Sequence, residues 1–118
     1  MTKRPYPELY QMFAGYLHQD WIHEYIWDEG EKPHFEAPIK AYVEDCQEFP
    51  EDIYKAISEL QALIAKDYWE EYLEEKMFDE LGIYVVPETW GLTYHEFLKA
   101  VLRLLKNEAD NIARRQLY

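Results

Sequence analysis

Apolar positions recur along most of this chain at three- and four-residue steps, the period of a helix that buries one face. Leu9, Met12, Phe13, Tyr16 and Leu17 follow that spacing behind Pro7, a residue suited to a first helical turn. Gly15 marks either a weak point in this helix or a close approach of another backbone. Asp20 is placed to cap a second short segment, Trp21 to Trp27, whose Trp21, Ile22, Tyr25 and Ile26 again share a face. Asp28 to Pro33 reads as a charged loop. A helix is expected from about His34 to Cys46, with Pro38 near its start and Ile39, Tyr42, Val43 and Cys46 on one side. Pro50 opens another, with Glu51 and Asp52 in the first turn, where the helix dipole favours anions. Its stripe of Ile53, Ala56, Ile57, Leu60, Leu63 and Ile64 is the cleanest in the chain.

Asp67-x-x-Glu70 has the form of a capping box, so the pattern predicts a restart there, running to Leu81. Trp69, Leu73, Met77 and Leu81 would face inward with Tyr72 and Phe78 beside them, and Gly82 would close the helix. Ile83 to Pro87 is a short extended piece with no evident partner strand. Trp90-Gly91 turns the chain, Thr93-x-x-Glu96 is a second capping box, and Phe97, Leu98, Val101, Leu104 and Leu105 form the last buried face. Residues after about Lys106 extend that helix or fray; fraying is expected at 1–5 and from about 108 to 118. The expectation is an all-α, compact bundle of five to six helices with short connections, forming one domain over residues 1–118.

Composition adds what the pattern does not. At 48% hydrophobic and 17% aromatic residues, disorder is disfavoured. The formal net charge of -12 disfavours direct binding to nucleic acid, where Lys and Arg must neutralise phosphates, and favours a basic partner. The charge is uneven: residues 1–92 carry 21 acidic and 7 basic side chains, residues 93–118 only 3 acidic and 5 basic. A single cysteine, Cys46, rules out an internal disulfide and fits a reducing compartment. No apolar run resembles a signal peptide or a membrane span, so the expected location is the cytoplasm.

Candidate chemistry is sparse. His18, Asp20, His23 and Glu24 are metal-ligand types, and one reading makes His18, Asp20 and His23 the centre of a metal-dependent hydrolase. Their spacing is poor, because residues five apart do not share a helical face. In the other reading Asp20 caps a helix and His18 bonds across the junction. His34 and His95 are isolated, and His95 reads as a surface or boundary residue in the first turn of the last helix. The four glycines are scattered, and the single serine, Ser58, lies mid-helix. Glu44, Asp45 and Glu48 around Cys46 would raise its pKa and blunt it as a nucleophile. These features point away from an enzyme and call for no cofactor and no metal; a paired-carboxylate hydrolase is the enzymatic alternative they leave open.

The acidic clusters say more. Asp67 to Glu80 holds seven carboxylates and one lysine, and Asp28 to Asp52 nine carboxylates against two lysines. Glu70, Glu71, Glu74 and Glu75 lie away from the inward face, and the like charges four apart cost a few tenths of a kcal/mol per pair. Such clusters fit either a solvated face on an acidic protein or a surface built to meet a basic cleft. Tyr10, Tyr68, Tyr84, Trp90 and Tyr94 are candidate aromatic anchors for the second case.

Two stretches resemble a known family. Tyr6-Pro7-x-Leu9, continuing through Phe13-x-x-Tyr16-x-x-Gln19-Asp20-Trp21, is similar to the opening of a family of contact-dependent growth inhibition (CDI) immunity proteins. Gly82-x-Tyr84 and Gly91-Leu92-Thr93-Tyr94-x-Glu96-Phe97-Leu98 resemble its closing segment, with Phe97 where the family pattern has Trp. The resemblance covers most of residues 6–106. It implies a small, largely helical, cytoplasmic protein of a Gram-negative bacterium that binds the C-terminal toxin domain delivered by a neighbouring cell and blocks its active site. Many such toxins are nucleases, and a nuclease presents a basic cleft. The family motif residues, Tyr16, Gln19, Asp20, Trp21, Gly91 and Tyr94, are then scaffold. The expected toxin-binding residues are Glu70, Glu71, Glu74 and Glu75, with Asp45 and Glu48 second. A generic acidic adaptor without a single partner is the remaining alternative.

Overall fold

The stripe on Pro50–Ala65 is the simplest place to see the sequence become structure: Ile53, Ala56, Leu60 and Leu63 are all buried in a computed structural model of the chain. That model describes residues 6–18, 21–25, 27, 29–31, 33–46, 50–79, 81 and 86–116. Among them are five α-helices, α1 (Pro7–Tyr16), α2 (Glu36–Asp45), α3 (Pro50–Ala65), α4 (Glu70–Asp79) and α5 (Tyr94–Gln116), and no strand. Two short 3₁₀ turns, Trp21–Glu24 and Pro87–Trp90, lie in the connections. The all-α bundle expected from periodicity is the observed fold.

Helix α5 is the axis of the bundle. It packs against α3, α2 and α4, while α1 packs against α3 and α2. Phe97, Leu98, Val101 and Leu105 are fully buried, and the stripe continues through Ala109 and Ile112. Each fully buried apolar side chain contributes about 1.5–3 kcal/mol. That exceeds any surface pairing, and of the two courses open to the chain after Lys106 it follows the helical one as far as Gln116. Residues 108–116 remain helical because Ala109 and Ile112 still have a core to enter.

A line of rings ties the two ends of the chain together. Phe13 of α1 meets Phe97 of α5 (centroids 6.3 Å apart), Phe97 meets Phe35 (4.9 Å), and Phe35 meets Trp90 (5.0 Å). Trp90 reaches Trp21 (6.3 Å), which stands edge-on to Trp27 (6.2 Å). Trp90 Nε1 also donates to the Pro33 carbonyl at 3.1 Å. The expected scaffold residues Trp21 and Gly91 fall here. Gly91 has φ 71°, a left-handed conformation that ends the Pro87–Trp90 turn with its N–H on the Glu88 carbonyl.

Several expectations need correction. Trp69, placed on the inward face by its four-residue steps to Leu73 and Met77, is 83% exposed. The reason is upstream: Asp67 does not open α4 but closes α3. It adopts φ 51° and donates its N–H to the Ile64 carbonyl, as the left-handed residue beyond a helix end does. Aspartate tolerates that conformation. Helix α4 therefore starts at Glu70, and Trp69 sits on the connection, outside the helical face it would have joined. Gly15 is not a point of close approach, since a side chain there would meet nothing within 4 Å. The segment after Asp20 forms a single 3₁₀ turn, Trp21–Glu24. Gln19, Asp20, Glu48, Gly82 and Tyr84 lie outside the described residues, as does most of the extended piece before Pro87.

Candidate functional site

The four clustered glutamates of α4 do not act as one surface. Glu70, in the first turn and half-buried, commits its carboxylate to the start of α5. Its Oε2 accepts the backbone N–H of Tyr94 at 2.6 Å and its Oε1 that of His95 at 3.3 Å. Helix N-termini leave such donors unsatisfied, and a carboxylate there is favoured by the dipole as well. The second capping box completes the same helix start. The Glu96 N–H donates to Thr93 Oγ1 at 3.1 Å, and the Thr93 N–H donates to Glu96 Oε1 at 3.0 Å. That bond to the Thr93 backbone is the main cause holding the Glu96 carboxyl below its ordinary value. His95 adds a short bond from Nε2 to the Tyr68 carbonyl.

The same device operates at the start of α1. Tyr6 offers α1 no side-chain cap. Glu59 of α3 supplies one, accepting the N–H groups of Glu8 (3.0 Å) and Leu9 (3.1 Å) on Oε1. Tyr42 of α2 donates its hydroxyl to Glu8 Oε1 at 2.6 Å, and Tyr16 of α1 donates to Asp45 Oδ2 in a short bond. Both phenols are pushed well above their ordinary pKa, first by burial and then by these carboxylates. Asp45 thus holds the expected scaffold residue Tyr16, although its own side chain is exposed. Cys46 is also raised, chiefly by burial; the carboxylates acting on it include Asp52 and Glu8 from other helices besides its neighbour Asp45.

Glu71 and Glu75 are arranged differently. With Asp67, Tyr68, Trp69 and Tyr72 they line an open concavity of about 650 Å³. Among the described residues neither carboxylate has a hydrogen-bond or ion-pair partner. Trp69 is 83% and Tyr72 49% exposed. The Tyr68 and Tyr72 rings lie 4.8 Å apart, and the Lys76 ammonium sits 5.2 Å and 5.5 Å from their centroids. Glu74 lies on a different flank. There, with Glu70, Val86, Glu88, Leu92 and Tyr94, it borders a smaller concavity of about 240 Å³. Tyr94 is raised by burial and by Glu74, Glu70 and Glu88.

Among the aromatic anchors named from sequence, Tyr68 lines the larger concavity, Trp90 is packed into the ring line, and Tyr84 lies outside the described residues. Sequence reasoning missed Trp69. The signal available was Asp67, a residue able to end a helix as well as to begin one. Among the described residues no group of three or more His, Cys, Asp or Glu is placed to hold a metal ion. His23 is exposed, His18 half-buried, and Asp20 lies outside the described residues. No helix among the described residues is long and apolar enough to cross a membrane.

The chain is thus a small all-α scaffold with two carboxylate-capped helix starts and an acidic, aromatic concavity. Residues 5–105 match the family model described as CdiI immunity protein, and the chain belongs to that family. Membership implies a toxin-neutralising immunity protein that binds a cognate toxin. No curated protein and no solved structure matches the chain.

Proposed function

We propose that this immunity protein neutralises its cognate CDI toxin by laying the Asp67–Glu75 face over a basic active-site cleft, and that the toxin is a nuclease. The observation that carries the reading is the exposure of Trp69 beside the Glu71 and Glu75 carboxylates, which have no partner among the described residues. A face kept only for solubility has no use for a tryptophan in water. An interface does, because large aromatics dominate binding energy where they become desolvated. The carboxylates supply the complementary charge, speeding encounter with a basic cleft and penalising partners of the wrong sign. Glu70 supports this face from within by joining α4 to α5, and Glu74 flanks it. Asp45, exposed at the end of α2, is the second acidic contact, with Glu48 named beside it from sequence alone. The protein does this by stoichiometric binding, with no chemistry of its own and no cofactor, in the cytoplasm where the toxin arrives.

The test is co-expression with the toxin domain encoded beside it. Cells carrying the wild-type chain should survive, and cells carrying the Glu71→Lys, Glu75→Lys double variant should not. Death with the wild type rejects the neutralising role. A toxin that leaves DNA and RNA intact in vitro rejects the nuclease.

A further inference from the structure

The concavity on the Asp67–Glu75 face holds three rings, and they are not in the same state. Tyr68 and Tyr72 already share a cation of the protein's own, since the Lys76 ammonium lies over both rings. Trp69 is 83% exposed and, among the described residues, has no such cation. Indole offers the best π-face for a cation among the aromatic side chains. Beside it stand Glu71 and Glu75, four residues apart and hence on one side of α4, with neither carboxylate engaged.

We infer that Trp69, Glu71 and Glu75 form a receptor for one arginine side chain of the toxin, its guanidinium stacked on the Trp69 indole and its N–H groups shared between the two carboxylates. The inference rests on the toxin-binding reading above and adds the chemistry of the central contact. Three properties favour arginine over lysine. A guanidinium is planar and stacks on an aromatic face, whereas an ammonium is a compact point charge. Its five donors form a fork that reaches two acceptors at once. It is also more weakly hydrated, so it enters a partly apolar concavity at lower desolvation cost. The negative lining of Asp67, Glu71 and Glu75 repels an anionic occupant.

A double-mutant cycle between the two proteins tests this. Affinities of the purified toxin domain, inactivated at its catalytic site, would be measured by calorimetry against wild type, Trp69→Ala and Glu71→Gln/Glu75→Gln. Each surface arginine of the toxin would be replaced by lysine in turn. One Arg→Lys change should weaken binding to wild type at least tenfold and have little further effect on the Trp69→Ala variant. Circular dichroism should show every variant of the immunity protein folded, since the Trp69 side chain lies outside the core. Absence of any arginine coupled to Trp69, or unchanged affinity of Trp69→Ala, overturns the inference. So does sedimentation showing that Trp69 instead mediates a dimer of this chain that toxin binding leaves intact. In each of these cases wild type still binds toxin and the neutralising role stands. Loss of that role requires that wild type itself fails to bind.

Discussion

Glu70 of α4 and Tyr94 of α5 are joined by a 2.6 Å bond from the Tyr94 backbone N–H to the Glu70 carboxylate, so one helix caps the start of another. The same carboxylate also takes the His95 N–H. Removing a cap costs about 1 kcal/mol, within a range of 0.5–2. Glu70→Ala should therefore lower stability by about 1 kcal/mol and the melting temperature by roughly 5 °C. Glu71→Ala, on the neighbouring position without such a bond, should stay within about 0.5 kcal/mol. Urea titration of the two variants checks this, and equal effects would show that the cap contributes nothing.

Glu70 also shows where sequence reading stops. The helices were legible because their periodicity reports a buried face, and α3 and α5 carry that signal strongly enough to fix both. The Thr93/Glu96 capping box was legible because both partners lie within one turn. Glu70 and Glu59 cap helices 24 and 51 residues away, so local spacing holds no trace of either bond. Trp69 was misplaced for a related reason. Its spacing to Leu73 matches the buried face, but the left-handed turn at Asp67 removes it from the helix. The acidic face was visible as composition; its division into a capping Glu70 and an outward Glu71/Glu75 pair required the fold.

The ring line predicts an asymmetry between two aromatic residues that periodicity treated alike. Phe97 has no exposure and touches Phe13 and Phe35, whereas Trp69 is 83% exposed. Phe97→Ala should cost about 3–5 kcal/mol through lost burial and a residual cavity. Trp69→Ala should stay within about 0.5 kcal/mol. Chemical denaturation of the pair decides it: a Trp69→Ala loss comparable to that of Phe97→Ala would mean that this tryptophan belongs to the core.

The buried Tyr42 and half-buried Tyr16 phenols set the behaviour at high pH. Tyr42 and Tyr16 hold their protons well beyond the ordinary value of 10.0, because burial and the adjacent Glu8 and Asp45 carboxylates oppose a phenolate. In the unfolded chain both ionise near that ordinary value. The unfolded state then carries fewer protons, so this stabilisation is full below pH 10 and is lost as the pH rises beyond it. Urea midpoints should fall above that pH in the wild type, and Tyr42→Phe should flatten the decline. An equally steep alkaline limb in Tyr42→Phe would show that Tyr42 is not responsible.

The Glu71–Glu75 pair allows stability and binding to be moved in opposite directions by one substitution. As like charges four residues apart on α4, they cost the helix a few tenths of a kcal/mol. Glu75→Lys replaces that repulsion with a Glu-to-Lys pair in the favourable N-to-C order, which contributes about 0.3–0.5 kcal/mol at an exposed site. The variant should therefore be slightly more stable than wild type. It also places a cation in the concavity beside Trp69, where a basic toxin surface would have to approach it. Toxin affinity should drop at least tenfold at low ionic strength, and the gap should narrow as added salt screens the interaction. Thermal denaturation and calorimetry on the same preparation read both effects. A variant that gains stability and keeps full affinity would place the toxin on another face of the bundle. One that loses both would mean that Glu75 serves the fold, as Glu70 does.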